Sequence, residues 1–354
     1  MMNTKPPFDL FALFGRFTRE QKLSLRDPQS LDSFLASARA ALGSAVTMDT
    51  LIQGQRTENM FAALVVSLGH YKLLNREDNG DTHPTGRYQA PDFRVVLNDD
   101  DRWLIEVKNL YDVEAGRQLF TVKDDYLARL QGYADAMQCP LMFAIYWAKW
   151  RAWTLVSPND FDLHNGKRGI TMFDAMRANR MAALGDRMIA TTPPLRLRFN
   201  VDTGKPRDVE ADGKVQFTIA NATLYCREKE IVDPVEQKIA WMFMEFGEWE
   251  SGEPTAHVTE GQLDAIEFEW TPIERSNADQ PFETVGTLSR MFSRHYASQT
   301  VIEQQIVRTE AELVPDWFAP LVVSGPKGTN LPLWRFILQP NTRRAQENPG
   351  MRSD

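Results

Sequence analysis

Three residues that could carry metal-assisted chemistry lie close together in the first half of the chain. Asp92 follows Pro91 at the start of a β-branched segment, and Glu106 and Lys108 lie at the end of the next apolar segment. Two carboxylates beside an ammonium suit Mg²⁺, which prefers carboxylate oxygen and keeps sites for water and phosphate. Such an ion lowers the pKa of a bound water and offsets charge on a phosphate. A neighbouring lysine can orient that water or help to deprotonate it.

A β-hairpin is needed to bring these residues together. Asp92–Leu97 and Arg102–Lys108 have the composition of short strands, and the Asn/Asp-rich segment between them, Asn98–Asp101, is typical of a turn. A hairpin places the start of one strand beside the end of the next. Asp92 and Glu106, fourteen residues apart, therefore become neighbours.

The length of the hairpin loop decides whether the three side chains share a face. Glu106 and Lys108 do so because they are two residues apart. A four-residue loop at 98–101 would place Asp92 opposite Val107 and turn it to the other face. The site therefore predicts an odd-length loop or a bulge, and three-residue loops with a bulge are common.

The surrounding segments predict an alternation of helices and strands. Met48–Gly69 has helical periodicity with Gly69 as a plausible stop, and Asn75–Gln89 has a loop composition. After the hairpin, Lys123–Met137 predicts a helix with Tyr126 on one stripe, and the apolar run Leu141–Trp147 predicts a buried strand that pairs with Arg151–Val156.

The second half of the chain also has helical patterns. Pro234–Phe246 and Thr284–Tyr296 each predict a helix.

The order of elements in the first half resembles the PD-(D/E)XK restriction-endonuclease-like superfamily over roughly residues 49–156. The resemblance implies an α/β fold whose mixed central sheet is flanked by helices, followed here by a second, α+β domain. It also implies a magnesium-dependent DNA endonuclease, with Mn²⁺ as a substitute ion, acting in restriction, repair or phage defence by analogy. Asp92 and Glu106 would bind the metal, and Lys108 would position the nucleophilic water.

The same resemblance extends the site by three residues. The backbone carbonyl of Val107 would be a further metal ligand. Many members have a glutamate on the preceding helix, and Glu58 lies where it is expected. Branches that include archaeal Holliday-junction resolvases and recombination exonucleases carry a glutamine on the following helix, which Gln131 resembles.

Charge and composition divide the chain into expected domains. The first 190 residues hold 23 basic and 23 acidic residues, whereas the remainder holds 17 and 25 and carries the whole net charge of −8. Nucleic acid should therefore contact the first half, and the acidic half is a candidate for binding a protein partner. We expect the boundaries to give a helical segment, a nuclease-like domain, an acidic α+β accessory domain and a flexible tail: 1–48, 49–190, 191–340 and 341–354.

Several classes of protein are disfavoured. The chain has no apolar run of about 18 residues, and the segment near Phe8–Phe17 does not look like a signal peptide, so we expect a cytoplasmic protein without membrane association. The two cysteines, Cys139 and Cys226, form no CxxC motif, so a structural zinc site is not expected.

Each interpretation has a structural alternative. Asp92 could simply begin a strand, Glu106 and Lys108 could be a solvated ion pair, and Glu58 and Gln131 could be ordinary helix residues. A predicted basic helix, Phe173–Ala190, could follow a phosphate backbone or face solvent. Three tryptophans could stack on bases or pack in a core: Trp147, Trp150 and Trp153.

The function also has rivals. The chain could be a catalytically inactive nuclease fold that acts through protein contacts of its acidic half, or a nuclease directed at RNA rather than DNA. Homodimers are common among nucleases that cut both strands, but no residue of this sequence demonstrates one.

Overall fold

The computed structural model describes residues 10–77, 85–111, 118–210, 213–274, 280–315, 317–322 and 330–341. The chain forms two compact units, Met1–Arg56 and Thr57–Asp354. The predicted flexible tail lies outside the described residues except for Asn341.

The described residues form eight α-helices and nineteen strands. The helices are α1 (Leu10–Gln21), α2 (Pro28–Ala45), α3 (Asp49–Leu68), α4 (Asp124–Met137), α5 (Met172–Arg177), α6 (Pro234–Phe246), α7 (Leu288–Thr300) and α8 (Ala319–Val322). The strands of the first half are β1 (Tyr71–Arg76), β2 (Phe93–Leu97), β3 (Arg102–Leu110), β4 (Leu119–Val122), β5 (Leu141–Trp147), β6 (Ala152–Val156), β7 (Asp162–His164), β8 (Lys167–Thr171) and β9 (Met188–Thr191). The later strands are β10 (Leu195–Val201), β11 (Ile219–Cys226), β12 (Lys229–Glu230), β13 (Glu250–Ser251), β14 (Thr255–Thr259), β15 (Gln262–Thr271), β16 (Glu283–Thr287), β17 (Val301–Ile302), β18 (Gln305–Ile306) and β19 (Leu333–Phe336).

The first unit contains the helices α1 and α2. Asp27 caps α2 by accepting a hydrogen bond from the backbone N–H of Gln29, and Pro28 occupies the first helical position, where its missing N–H costs nothing. Phe34 of α2 packs against Phe14 and Phe17 of α1 at ring-centroid distances of 5.4 and 5.5 Å.

A five-stranded mixed sheet forms the centre of the second unit. Its order is β1-β2-β3-β5-β6, and every neighbouring pair is antiparallel except β3 and β5, which are parallel. Parallel strands need a crossover connection, and α4 lies in the one that joins β3 to β5. Every residue of β5 is buried, which explains its uninterrupted apolar sequence.

The two faces of this sheet belong to different apolar cores. Side chains of α3 pack with one face, which includes Ile105 and Val107, whereas α4 packs with the other, which includes Leu104. Glu106 and Lys108 alternate with the first set along β3, so they lie on the α4 face. The fold is therefore α/β with a mixed sheet flanked by helices, as the sequence predicts.

Further sheets follow the central one. The strands β12, β11, β10, β15 and β13 form one sheet in that order, and β14 also pairs with β15. Strand β9 lies between β16 and β19 in a three-stranded antiparallel sheet, and β4, β8 and β7 form another. Strand β9, which contains residues 190 and 191, pairs with strands from the last third of the chain, and the predicted domain boundaries stay predictions.

Three predicted elements are corrected. The predicted helix Phe173–Ala190 is helical only as far as Arg177, the end of α5. A 3₁₀ turn follows at Met181–Leu184 and ends at Gly185, which has a left-handed φ of 102°. The last residues of the predicted helix belong to strand β9. The predicted loop Asn75–Gln89 begins inside β1, and 78–84 of it lie outside the described residues. The predicted helix Thr284–Tyr296 begins as strand β16 and becomes helical only at Leu288.

None of the helices in the described part of the chain is both long and apolar enough to cross a membrane.

Candidate active site

The loop of the β2–β3 hairpin has the odd length that the site requires. Strands β2 and β3 pair Phe93 with Ile105, so Asp92 lies opposite Glu106 in the continued register. The loop closes where the N–H of Leu97 donates to the carbonyl of Asp101 at 2.8 Å. Asp100 has a left-handed φ of 72°, the conformation of a bulged three-residue loop. The predicted loop parity is confirmed, and the first carboxylate joins the face of the other two side chains.

Glu106 is a buried carboxylate with two hydrogen-bond donors. Its exposed fraction is 2%, and the ammonium of Lys108 donates to its Oε1 atom. The hydroxyl of Tyr126, in the first turn of α4, donates to the same oxygen at 2.5 Å. A buried charge is costly unless it is paired, and these two donors supply the pairing on the protein side.

Asp92 lies beside Glu106 and is anchored by the backbone. Its Oδ2 atom accepts a hydrogen bond from the N–H of Val107 at 2.7 Å. Burial and repulsion by Glu106 raise the pKa of Asp92 to about 7, despite the opposing effects of that hydrogen bond and of Lys108. Two carboxylates that resist simultaneous ionisation are therefore held on one face of the sheet.

The two donors to Glu106 also have shifted pKa values. Burial lowers the pKa of Lys108, but attraction by Glu106 and the hydrogen bond between them outweigh burial, so the net shift is upward. Burial and the charge of Glu106 raise the pKa of the Tyr126 hydroxyl. At neutral pH the metal-free site thus contains an ammonium and a neutral phenol.

Glu58 lies at the edge of this group rather than inside it. Its Oε2 atom accepts from Arg76 Nη1 at 2.7 Å, and the ion pair is partly exposed. Its charge is nevertheless near enough to contribute to the raised pKa of Asp92. Glu58 therefore lies near Asp92, but its carboxylate is paired with Arg76.

Gln131 has a different hydrogen-bond partner. Its amide donates to Asp135 at 2.8 Å, one turn further along α4, in an exposed contact. The side chain that α4 contributes to the carboxylates is Tyr126, which sequence reasoning assigned to an ordinary helical stripe. A tyrosine on an apolar stripe of a helix gives no sign that its hydroxyl meets a buried glutamate, because that requires the packing of α4 on the sheet.

A second buried carboxylate lies beside the site. Glu77 continues β1 opposite Asp92, and its N–H donates to the Asp92 carbonyl at 3.0 Å. Tyr133 of α4 donates to Glu77 Oε2 at 2.6 Å, and Arg94 forms an ion pair with Glu77 at 2.9 Å. Sequence reasoning assigned this residue to a loop and missed it. Tyr133 and Arg94 thus occupy its carboxylate.

The donor set fits a divalent cation. Among the described residues, no three His, Cys, Asp or Glu side chains are grouped so that they could hold a metal together. The set is instead two adjacent carboxylates, those of Asp92 and Glu106, whose mutual repulsion a cation would relieve. Mg²⁺ is commonly held by one or two carboxylates, with water and substrate oxygens completing its shell.

The predicted basic helix and the predicted tryptophan platform do not form a surface for nucleic acid. Arg180 pairs with Asp160, and Arg187 donates to the carbonyls of Ala182 and Asp186, so neither belongs to a solvated basic helix. Trp147 and Trp153 are buried in the core, whereas Trp150 is 42% exposed: the three tryptophans do not form one platform.

Comparisons with known proteins give a structural likeness but no sequence relative. No protein-family model matches the chain, and no curated protein matches it. Among solved structures, a Holliday junction resolvase from Archaeoglobus fulgidus, an archaeal hyperthermophile, is similar at 14% sequence identity over 35% of this chain and 94% of that chain, with a TM-score of 0.29. A likeness at this level carries no functional argument, so the interpretation of the chain rests on the geometry of its own residues.

Proposed function

We propose that this protein is a magnesium-dependent nuclease that hydrolyses phosphodiester bonds of DNA by water attack. The observation that carries the proposal is the placement of Asp92 beside Glu106, with Lys108 on the same sheet face. The roles of Asp92, Glu106 and Val107 as ligands remain predictions, as do the contributions of Glu58 and Gln131. A role in restriction, repair or phage defence is an analogy with the superfamily that the sequence resembles.

Each residue of the site has a distinct task in this proposal. Asp92 and Glu106 would hold Mg²⁺, and when bound the ion would polarise the phosphate and lower the pKa of a water. Lys108, whose partly exposed ammonium lies against Glu106, would orient the attacking water and offset phosphate charge. Tyr126 fixes the rotamer of Glu106 through its hydroxyl. The backbone N–H of Val107 fixes Asp92 in the same way.

The decisive experiment is Mg²⁺- or Mn²⁺-dependent cleavage of plasmid DNA, single-stranded DNA and RNA by the full chain. We expect Asp92→Ala and Lys108→Ala to abolish cleavage. Asp100→Asn is a matched control, because it removes a carboxylate from the exposed loop of the same hairpin and asparagine tolerates the left-handed backbone there.

The outcomes separate the rivals. Equal cleavage by the wild type and both site variants would mean a contaminant or another site, and would refute the proposal. Cleavage confined to RNA would correct the substrate. Absence of metal-dependent cleavage by the wild type on all three substrates would favour an inactive nuclease fold that acts by binding.

A further inference from the structure

The tight turn between β5 and β6 presents an exposed aromatic side chain beside a cation. Residues 148–150 form a 3₁₀ turn, and Arg151 completes the connection with a left-handed φ of 48°. The Trp150 side chain is 42% exposed, unlike its buried neighbours Trp147 and Trp153. Arg151 is also exposed, and no ion pair with another described residue holds its guanidinium.

Arg290 of helix α7 holds the backbone of this turn. The Nε and Nη2 atoms of Arg290 both donate to the carbonyl of Trp150, at 3.2 and 3.0 Å. The remaining Nη1 atom of Arg290 pairs with Glu248 at 2.6 Å. The turn is therefore held through its backbone, which leaves the indole and the Arg151 guanidinium available to solvent.

The electrostatic surroundings of the turn are positive. Arg294 lies one helical turn beyond Arg290 on α7 and donates to the carbonyl of Gly247. Burial, and then repulsion by Arg151 and Arg290, lower the pKa of Arg294, which places the three guanidinium groups within electrostatic reach of one another. Among the described groups that shift the pKa of Arg294, Glu248 carries the negative charge, and it pairs with Arg290.

The turn and the candidate site lie toward the same end of the central sheet. In the parallel pairing of β3 with β5, Lys108 is level with Ile145, and Leu110 is level with Trp147. The chain therefore enters the turn about 7 Å further along the sheet than Lys108, one strand to the side. Helix α7, which holds the turn, packs with the core of the α3 face, whereas Glu106 and Lys108 lie on the α4 face, so a nucleic-acid strand bound at the site would pass around the end of the sheet to reach the turn.

We propose that Trp150 and Arg151 form an accessory contact for a single-stranded segment of DNA, with the indole stacked on a base and the guanidinium on a phosphate. The choice of DNA rests on the proposed function. An exposed aromatic side chain beside arginines is the combination that binds single strands, since every base offers a π-face and every nucleotide a phosphate. A base within a duplex is already stacked, so the contact discriminates in favour of unpaired strands.

The test is binding of the full chain to a fluorescently labelled single-stranded oligonucleotide and to the matching duplex, measured by anisotropy in EDTA so that cleavage does not interfere. Trp150→Ala removes the indole and keeps the carbonyl that Arg290 holds. Arg151→Gly removes the charge and also suits the left-handed backbone. The controls are Trp241→Ala, whose indole is 43% exposed on α6, and Lys167→Ala, which removes an exposed cation from the β7–β8 hairpin.

We expect Trp150→Ala to weaken single-strand binding about tenfold and duplex binding by less than twofold. Arg151→Gly should weaken single-strand binding and reduce the slope of log affinity against log salt by roughly 0.7. Both controls should bind like the wild type.

Binding by Trp150→Ala and Arg151→Gly within twofold of the wild type would overturn the proposal, as would equal weakening of single strand and duplex by Trp150→Ala. These failures differ from failure of the proposed function. A wild type that cleaves DNA while the turn variants bind normally refutes only the contact, whereas the expected binding losses without any cleavage refute only the nuclease.

Discussion

Asp92→Asn should stabilise the metal-free protein above neutral pH. In the folded protein the pKa of Asp92 is raised to about 7 by burial and by Glu106. Asparagine keeps an oxygen that can accept the hydrogen bond from the Val107 N–H, but it carries no charge. The substitution therefore removes the repulsion between the two carboxylates with little change in shape.

The magnitude follows from the pKa difference. A rise from the ordinary value of 3.8 to about 7 corresponds to roughly 4 kcal/mol against the ionised form. Because Glu106 shares this repulsion, we expect a measured gain of about 2 to 4 kcal/mol at pH 8. Between about pH 4 and 7 the folded wild type binds a proton that the unfolded chain has lost, so its stability falls as the pH rises through this window. Below pH 4 the aspartic acid is neutral in both states, and the difference between the two proteins should vanish.

Urea unfolding in EDTA, followed by circular dichroism at several pH values from 4.5 to 8, measures this difference. Titrating groups that do not interact with Asp92 contribute equally to both proteins and cancel. Added Mg²⁺ at pH 8 should then raise the stability of the wild type more than that of the variant, since a ligand bound only by the folded state stabilises it. Parallel pH profiles, or a variant less stable than the wild type at pH 8, would show that burial and Glu106 do not raise the pKa of Asp92 in the folded protein.

Three further variants test other parts of the structure. Tyr126→Phe removes a hydrogen bond to the buried carboxylate, worth about 1.5 kcal/mol, and should lower kcat for DNA cleavage about tenfold with KM unchanged; an unchanged single-turnover rate would exclude a positioning role. Glu58→Gln breaks a partly exposed pair with Arg76 and should change the free energy of unfolding by less than about 1 kcal/mol, while cleavage should require more Mg²⁺. An unaltered Mg²⁺ titration would remove Glu58 from the site. Gly247→Ala would place a Cβ atom 2.3 Å from a backbone carbonyl oxygen and should destabilise the fold by more than about 2 kcal/mol in thermal unfolding, whereas Gly43→Ala, with no atom within 4 Å, should be tolerated.

Local sequence predicts correctly those elements whose structure depends mainly on their own residues. The predicted helix Pro234–Phe246 coincides with α6, and the predicted stop at Gly69 is present, with a left-handed φ of 70°. The β2–β3 hairpin also follows from local signals, but its register does not. Turn composition covers 98–101, a four-residue loop that would turn Asp92 to the other face, and the odd loop is predicted from the requirement of the site.

The remaining errors arise where distant partners decide the structure. Strand β1 is an edge strand with mostly exposed side chains, so it lacks the apolar alternation that indicates a strand. Strand β9 exists because β16 and β19 pair with it, and the sequence around Met188 continues a helical pattern instead. Tyr126 and Glu77 lie at the site through packing between α4 and the sheet, which no spacing along the chain encodes.

The position of β9 has a consequence for the biogenesis of the protein. Both neighbours of this strand are synthesised long after it, β16 about 90 residues and β19 about 140 residues later. During translation both edges of β9 therefore stay unpaired until β16 and β19 have been synthesised. Contacts between residues so far apart in sequence also form slowly. A fragment that stops at residue 190 would leave the same edges permanently open, which invites aggregation. The region that holds the candidate site is thus expected to mature only once almost the whole chain has left the ribosome.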